Sequence, residues 1–299
     1  MPTYTAHGLN IKSEIIFPEL LKSSEDSDIL IKYGDFDYSS KEIISEGVFR
    51  IASHYILTEN SVYLIWNNID ICQIIKGKEI IVNSQTSIDK TFLRALILGP
   101  ALGILLHQRG RLVLHASAVN MNDGAVAFMG HNGAGKSTTT FSFMNNGYPL
   151  ISNDILSIEF RNNLPVVYPG LPRIKLWPES MEISRKDMES FPIHPESRKR
   201  SCLVDNFCNR VTSLKHIYVI GNGEKTFLED LKPQDALIEL IRNSYCANIF
   251  QNSDQATNLE EYAKIVKNVS IKQLNIERSL EKIPEMVNLV EKDVILKIN

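Results

Sequence analysis

The tightest constraint on this chain lies between residues 125 and 147. An apolar run, Ala125-Val-Ala-Phe-Met129, leads directly into Gly130-His-Asn-Gly-Ala-Gly135-Lys136-Ser137-Thr138. A short continuous apolar run suits a buried strand, and Ser137–Asn146 is a helix candidate ending at Gly147. The segment between them matches Gly-x-x-x-x-Gly-Lys-Ser at every fixed position. Average residue usage gives such a match by chance in on the order of one chain per hundred of this length. Strand, glycine loop and helix in this order commit the region to an α/β fold built on a phosphate-binding loop, with its ligand at the carboxyl edge of the sheet.

The chemistry follows from the residue types. Successive backbone N–H groups and the helix N-terminus face an anion, and glycines let the chain curl close around it. Lys136 reaches the β and γ oxygens of a nucleoside triphosphate, and Ser137 can ligand Mg²⁺. The expected ligands are therefore ATP and Mg²⁺, held by Gly130, Asn132, Gly133, Ala134, Gly135, Lys136, Ser137 and Thr138. His131, Asn132 and Ala134 fill the variable positions, and no side-chain chemistry is assigned to them.

Two further residues converge on the loop. After the helix comes Tyr148-Pro-Leu-Ile-Ser-Asn153-Asp154, and the crossover from Ala125–Met129 to Leu150–Ser152 is of βαβ type. Both strands should then run parallel, with their C-terminal ends on one edge and Asp154 close to the phosphates. An aspartate there can accept the proton of an attacking hydroxyl, or hold Mg²⁺ directly or through water. The alternative is a turn residue or cap at a strand end. On the other side, Arg111–Asn120 alternates, with Leu112, Leu114, Ala116 and Ala118 on one face and Val113, His115 and Ser117 on the other. Asn122-Asp123-Gly124 reads as a tight hairpin turn into the loop strand. With Asn122-Asp123 at the centre of the turn, antiparallel counting pairs His115 with Gly130; with Asp123-Gly124 it pairs His115 with Asn132. Either register sets the imidazole beside the loop, although a lone histidine in a strand is more often a packed core residue.

The flanks differ in texture. Residues 1–88 carry short β-like runs at Ile29–Lys32, Tyr55–Leu57, Ser61–Trp66 and Glu79–Asn83, separated by Asn, Asp, Gly and Ser, as in a small strand-rich module. Residues 89–299 then form the loop-bearing domain. It opens with Phe92–Leu106, apolar but interrupted by Arg94, Gly99, Pro100 and Gly103, which reads as a buried helix broken near Pro100 and too short for a membrane span. A proline-rich stretch runs from Pro165 to Pro195, and Pro233 opens a helical pattern through Arg242. A net charge of −3 supplies no basic field for nucleic acid. The four cysteines form no Cys-x-x-Cys pair, so neither a zinc site nor a disulfide framework is expected. With no signal peptide legible at the start, the expectation is a cytoplasmic protein without a membrane or nucleic-acid partner.

Leu114-His115-Ala-Ser-Ala, the phosphate loop and Leu150-Ile-Ser-Asn153-Asp154 resemble the catalytic domain of HPr kinase/phosphorylase. They are closer still to the HPr-kinase-related proteins found beside lasso-peptide biosynthesis genes. The phrases Tyr4-Thr-Ala-His-Gly8-Leu-Asn-Ile-Lys-Ser13-Glu, ending in Phe17-Pro-Glu-Leu20, and Tyr168-Pro-Gly170-Leu-Pro172-Arg173-Ile-Lys175-Leu-Trp177-Pro, with the later pair Lys199-Arg200, are similar to that branch. The resemblance implies a phosphoenolpyruvate-carboxykinase-like fold that transfers the γ-phosphoryl of ATP to a serine-type hydroxyl of a peptide or protein. For the lasso-associated branch the acceptor is the C-terminal residue of the precursor peptide.

Carried over by position, Lys136, Ser137 and His115 match the family, and its usual Asp-Asp is Asn153-Asp154 here. An amide cannot take a proton as a carboxylate can. If the first position is the family's base, this chain is slow or inactive; if the second is, the change is tolerable. In HPr kinase an acidic residue of the following segment helps with the metal; neither Glu159 nor Glu179 aligns securely with it, and that ligand stays unassigned. Arg173, Lys175, Lys199 and Arg200 are candidate contacts to phosphate or a peptide carboxylate, against the alternative of solvated surface charge. A transporter ATPase would need a Leu-Ser-Gly-Gly-Gln-type signature and a downstream strand ending in Asp-Glu, and neither occurs. A nucleotide-binding scaffold without transfer and a small-molecule hydroxyl kinase remain as competing readings.

Overall fold

Two large sheets dominate the computed structural model, which describes residues 1–50, 53–183, 188–194, 197–250, 255–277 and 279–296. The first is a nine-stranded mixed sheet formed by residues 3 to 83. Its centre is Leu9–Ser13, Ile29–Gly34 and Glu79–Asn83, which pair in parallel; the remaining neighbours are antiparallel. Leu9, Ile11 and Ser13 point inward while Asn10 and Lys12 do not, the period-two pattern of a sheet with one covered face. All four β-like runs read from sequence are strands: Ser61–Trp66 and Glu79–Asn83 as expected, and the other two longer by two residues, as Ile29–Gly34 and Ser53–Leu57.

The covering element is the helix of residues 90–108. Asp89 caps its start by accepting from the N–H groups of Thr91 and Phe92. Pro100 lacks the N–H an α-turn would use, and the chain widens there into a π-type turn, Ile97–Ala101, between Lys90–Leu96 and Leu102–Gln108. The sequence reading took the segment as broken and too short to span a membrane. The break is the π-type turn at Pro100, whereas the length differs from expectation: residues 90–108 run as one 19-residue helical segment that meets the length and hydropathy of a span, with 67% of its most apolar window buried inside the protein. Leu96, Ile97, Leu102 and Leu105 share one core with Ile11, Ile31, Val62 and Ile74. Strand gives way to helix after residue 88, and packing groups this helix with the first sheet.

The second sheet also has nine strands and carries the glycine loop. Gly124–Met129 lies between Ala116–Met121, antiparallel, and Thr212–Asn222, parallel. Leu150–Ser152 pairs antiparallel with Ala116–Met121 on its other edge. The crossover from the loop strand thus skips one strand, and Gly124–Met129 and Leu150–Ser152 run in the same direction, as expected. Side chains alternate between two cores. Val126 and Phe128 pack with Phe143 of the helix Lys136–Asn145 and with Met286 and Val290 of the C-terminal helix Ile283–Leu296. Ala125, Ala127 and Met129 pack with Leu240 of Pro233–Arg242 and Tyr262 and Ile265 of Gln255–Asn268. The result is helix, sheet, helix in three layers, with both faces covered.

A small antiparallel sheet completes the site. Arg173–Leu176 pairs with Arg200–Leu203, which pairs with Ser190–Pro192. Ile174, Leu176 and Cys202 bury one of its faces against Phe141 and Leu150, leaving Arg173 and Lys175 on the other. The end of the proline-rich stretch, Pro195, lies outside the described residues. All four cysteines are buried and unbridged.

Candidate phosphate-loop site

The loop has the shape its sequence requires. Gly133 and Gly135 adopt φ of 82° and 103°, a region side chains disfavour, and Gly135 is the residue from which Lys136–Asn145 starts. A Cβ on Gly130 would stand 3.0 Å from the Ile220 carbonyl oxygen of the neighbouring strand, so that position needs glycine for close approach as well. No side chain caps this helix, and its N-terminus faces the loop. Lys136 is buried and folds across the loop, its Nζ donating to the carbonyls of Gly130 (2.7 Å) and His131 (3.1 Å). Thr138 Oγ1 is 2.8 Å from Ser180 Oγ.

A residue with no motif signature anchors the loop's base. Asn243, buried just after Pro233–Arg242, accepts from the Gly130 N–H through Oδ1 (3.1 Å), while its carbonyl accepts from the His115 N–H (2.7 Å). The hairpin has Asn122 and Asp123 at its centre, both with positive φ, and pairs Ala116 with Met129. Its next pair in register would be His115 and Gly130, the first of the two expected alignments. The sequence reading treated Arg111–Asn120 as one strand. It is two, Leu112–Leu114 and Ala116–Met121, because the chain changes sheet neighbour at His115. The half-buried imidazole sits at that junction, 6.2 Å from the Tyr245 ring between centroids.

The strand Leu150–Ser152 delivers Asn153 and Asp154 to the same edge. Asn153 is held on three sides. Its Nδ2 donates to Ser137 Oγ (3.1 Å) and Ser117 Oγ (2.7 Å), and its Oδ1 accepts from the Lys175 N–H (3.0 Å). Asp154 takes a φ of 72°, a strained setting that aspartate tolerates better than most residues. Its Oδ2 lies 2.7 Å from Lys175 Nζ. Ser137, Asn153, Asp154 and Lys175 therefore form one connected group, assembled from a helix start, a strand end and the small sheet.

The four basic candidates separate. Arg173 and Lys175 line a cavity of about 60 Å³ that also takes in Asn153 and Asp154, with apolar walls that include Leu98, Leu171 and Phe191. Arg173 is largely committed within it: its Nη1 lies 3.3 Å from Glu19 Oε1, an oxygen that also accepts from Arg94 Nε at 2.8 Å, and its guanidinium stands over Phe191. Burial pulls the Arg173 pKa down, against the upward pull of the Glu19 carboxylate. Lys199 and Arg200 do not line this cavity. Lys199 Nζ stands 5.2 Å above the Trp177 ring, and Arg200 is bound to the Ser190 hydroxyl and carbonyl within the small sheet. Of the acidic residues left unaligned, Glu159 accepts from the Tyr168 hydroxyl and Glu179 pairs with Arg198.

The donors available for Mg²⁺ are hard oxygens, Ser137 Oγ and the Asp154 carboxylate, which fits a cation that takes one or two protein ligands and completes its shell with phosphate and water. Among the described residues no group of three or more His, Cys, Asp or Glu could hold a metal on its own. Glu19, Ser117 and Asn243 carry no role in the sequence reading, although Glu19 and Ser117 fall within phrases that resemble the family. Ser117 lies on the His115 face of the alternating run and Glu19 in the phrase Phe17-Pro-Glu-Leu20, signals that are available; Asn243 is brought in by tertiary packing alone.

No protein-family model matches the chain, and no curated protein matches it. Among solved structures, the HPr(Ser) kinase/phosphatase from Coxiella burnetii is similar over 62% of this chain and 99% of that one, at 10% identity and a TM-score of 0.35.

Proposed function

We propose that this protein is an ATP- and Mg²⁺-dependent kinase that transfers the γ-phosphoryl group to a serine-type hydroxyl of a peptide or protein. The observation that carries it is the junction of Ser137, Asn153, Asp154 and Lys175. A phosphate loop alone binds a nucleotide, whereas a carboxylate and an ammonium at its carboxyl edge, opening on a separate cavity, supply what transfer to an acceptor needs.

In this reading the loop N–H groups and Lys136 hold the β- and γ-phosphates, and Ser137 and Asp154 hold the metal, which neutralises charge on the phosphates when bound. Asp154 accepts the proton of the attacking hydroxyl, Lys175 keeps a positive charge beside the transferred group, and His115 lies at the loop's base as a second polar contact. Little covalent work falls to the protein, so positioning and charge supply most of the rate. The cavity beside Asp154 is the acceptor entrance. Its polar wall, where Lys175 supplies an ammonium beside Arg173 and its partner Glu19, suits an acceptor with a carboxylate next to its hydroxyl, such as a C-terminal serine. Lys199 and Arg200, outside that wall, shape the small sheet rather than touch the acceptor. A second reading, a nucleotide-binding scaffold without transfer, draws on Asn153, whose amide occupies the position next to Ser137.

The test is mass spectrometry of serine peptides incubated with the protein, ATP and Mg²⁺, each peptide supplied with a free or amidated C-terminus. Transfer that Lys136→Ala abolishes without lowering Tm supports the kinase. Nucleotide binding with no phosphopeptide and no turnover of ATP supports the scaffold. A charge-assisted contact is worth roughly 1.5–3 kcal/mol, so amidation should lower kcat/KM about ten- to hundredfold if the carboxylate is read; an equal rate on both forms rejects the terminal acceptor.

A further inference from the structure

A second cavity, of about 280 Å³, opens on the opposite flank of the phosphate loop from Asp154. It exists because two helices share one face of the sheet. Lys136–Asn145 and Ile283–Leu296 both pack on the core of Phe128 and Tyr218, and residues from the first turns of both line the cavity beside the loop. The strand Ser270–Ile276 ends in that gap, where Ile276 Cδ1 comes within 3.7 Å of where a Gly135 Cβ would be. Ile276, Ile283 and Met286 give the cavity an apolar side, Gly133, Gly135 and Thr138 belong to the loop, and Glu277 and Ser279 stand at its polar rim.

The far wall is pinned. Asp293 accepts from the Tyr218 hydroxyl (2.8 Å) and pairs with Lys272 (2.7 Å), and Glu291 accepts from the Tyr148 hydroxyl (2.9 Å). At the rim Lys282 pairs with Glu285 at 3.2 Å and Glu277 at 3.9 Å, and the Glu277 N–H donates to Thr226 Oγ1. The C-terminal helix is thus fixed to the sheet by both core and polar contacts, and the cavity is a preformed space.

We propose that this cavity holds the nucleoside end, base and ribose, of the triphosphate bound by the loop, and that Ile276, Glu277, Ser279, Ile283 and Met286 set nucleotide selectivity. The inference rests on the phosphate-loop reading and extends it. A triphosphate lying along the loop has two ends. One flank carries Asn153, Asp154 and Lys175 and faces the acceptor cavity, so the nucleoside leaves by the other, past Thr138. Branched aliphatic and thioether side chains suit the flat face of a purine. Glu277, the carboxylate at the rim, can accept from an exocyclic amino group or ribose hydroxyls, and it has no use for an inorganic polyphosphate.

The experiment is calorimetric titration of the full chain with Mg²⁺ plus either ATP or inorganic tripolyphosphate, repeated on Ile283→Ala and Ser279→Trp. Ile283 is half-buried at the helix start, and its truncation removes part of the apolar wall; the tryptophan fills the cavity. ATP should bind the unaltered protein at least about tenfold more tightly than tripolyphosphate. Each variant should weaken ATP by about five- to tenfold and leave tripolyphosphate within about twofold, which also reports that the loop remains folded. Equal affinities for the two ligands, or variants that weaken both or neither, overturn the proposal. If tripolyphosphate binds and Lys136→Ala removes that binding, while ATP gains nothing over it, the loop reading stands and the nucleoside site falls; if neither ligand binds, both fall.

Discussion

At position 153 the orientation of one amide decides what the residue can do. The Lys175 N–H needs an acceptor, so Oδ1 of Asn153 turns toward it and Nδ2 toward the hydroxyls of Ser117 and Ser137. In that orientation Asn153 cannot take a proton from Ser137 or from an acceptor, and it acts by holding the helix start, the strand end and the small sheet together. In the proposed transfer the chemistry then falls to Asp154. Asp154→Asn should lower transfer about 10²-fold or more and leave ATP affinity within a few-fold, read by single-turnover transfer beside calorimetry; near-normal transfer would move the base elsewhere. Asn153→Asp keeps an acceptor for Lys175, and both serine hydroxyls can rotate to donate to it. The expected outcome is transfer retained or raised with Tm unchanged. A clear fall in transfer would show that the amide's donors, and not merely its shape, are required.

The loop-bearing strand and the elements beside it show how far local pattern reaches. Gly130 faces the Ile220 carbonyl at a distance where a methyl group forces the neighbouring strand to shift, so Gly130→Ala should cost roughly 1–3 kcal/mol of stability. Urea unfolding should show that loss together with a loss of tripolyphosphate binding; a variant of wild-type stability would mean the strand yields easily. This strand was legible because every determinant is local: an apolar run, glycines at fixed offsets and a helix that follows. The same holds for Asn122-Asp123, whose positive φ values the hairpin requires, and for Pro233 at its helix start. Where tertiary pairing decides, the pattern ran out. The switch of neighbours at His115 leaves alternation intact on both sides and so leaves no trace in the sequence. Strands such as Leu21–Lys22 and Ser45–Arg50 are short or irregular edge pieces whose existence depends on the partner they find. Arg173 read as an available cation because Glu19, its partner, is more than a hundred residues away along the chain.

At the scale of the whole molecule, the first sheet is joined to the loop-bearing sheet through a buried polar seam. The turn at His7 and Gly8 donates a backbone hydrogen bond from His7 N–H to the Pro169 carbonyl, at 2.7 Å. Arg111 donates to the His7 carbonyl and lies over the Tyr168 ring, 4.1 Å from its centroid. Glu19 reaches across to Arg94 and Arg173 at the cavity beside Asp154. Within this seam the His7 imidazole is fully buried, and neither of its nitrogens has a hydrogen-bond partner. Burial, reinforced by the Arg111 charge, pushes its pKa down to about 3 from 6.5. The sign of the consequence is fixed by linkage. In the folded chain His7 stays neutral well below pH 6.5, while in the unfolded chain it takes up a proton there, so the unfolded state gains stability as the pH falls. The contribution of a neutral His7 is therefore complete above about pH 6.5 and declines between 6.5 and 3, by on the order of 1.4 kcal/mol per pH unit at most. His7→Asn removes the titrating ring and keeps a residue suited to the left-handed turn, where φ is 52°. It should lower stability at pH 7.5 by leaving a gap in the seam. Between pH 7.5 and 4.5, however, urea unfolding should show the unaltered protein losing on the order of 2 kcal/mol more than the variant does. Carboxylates elsewhere titrate in both proteins, so only the difference between the two slopes reports on His7. Parallel slopes would mean that the imidazole finds a proton partner in the folded chain, and that the seam between the two sheets is looser than its packing implies.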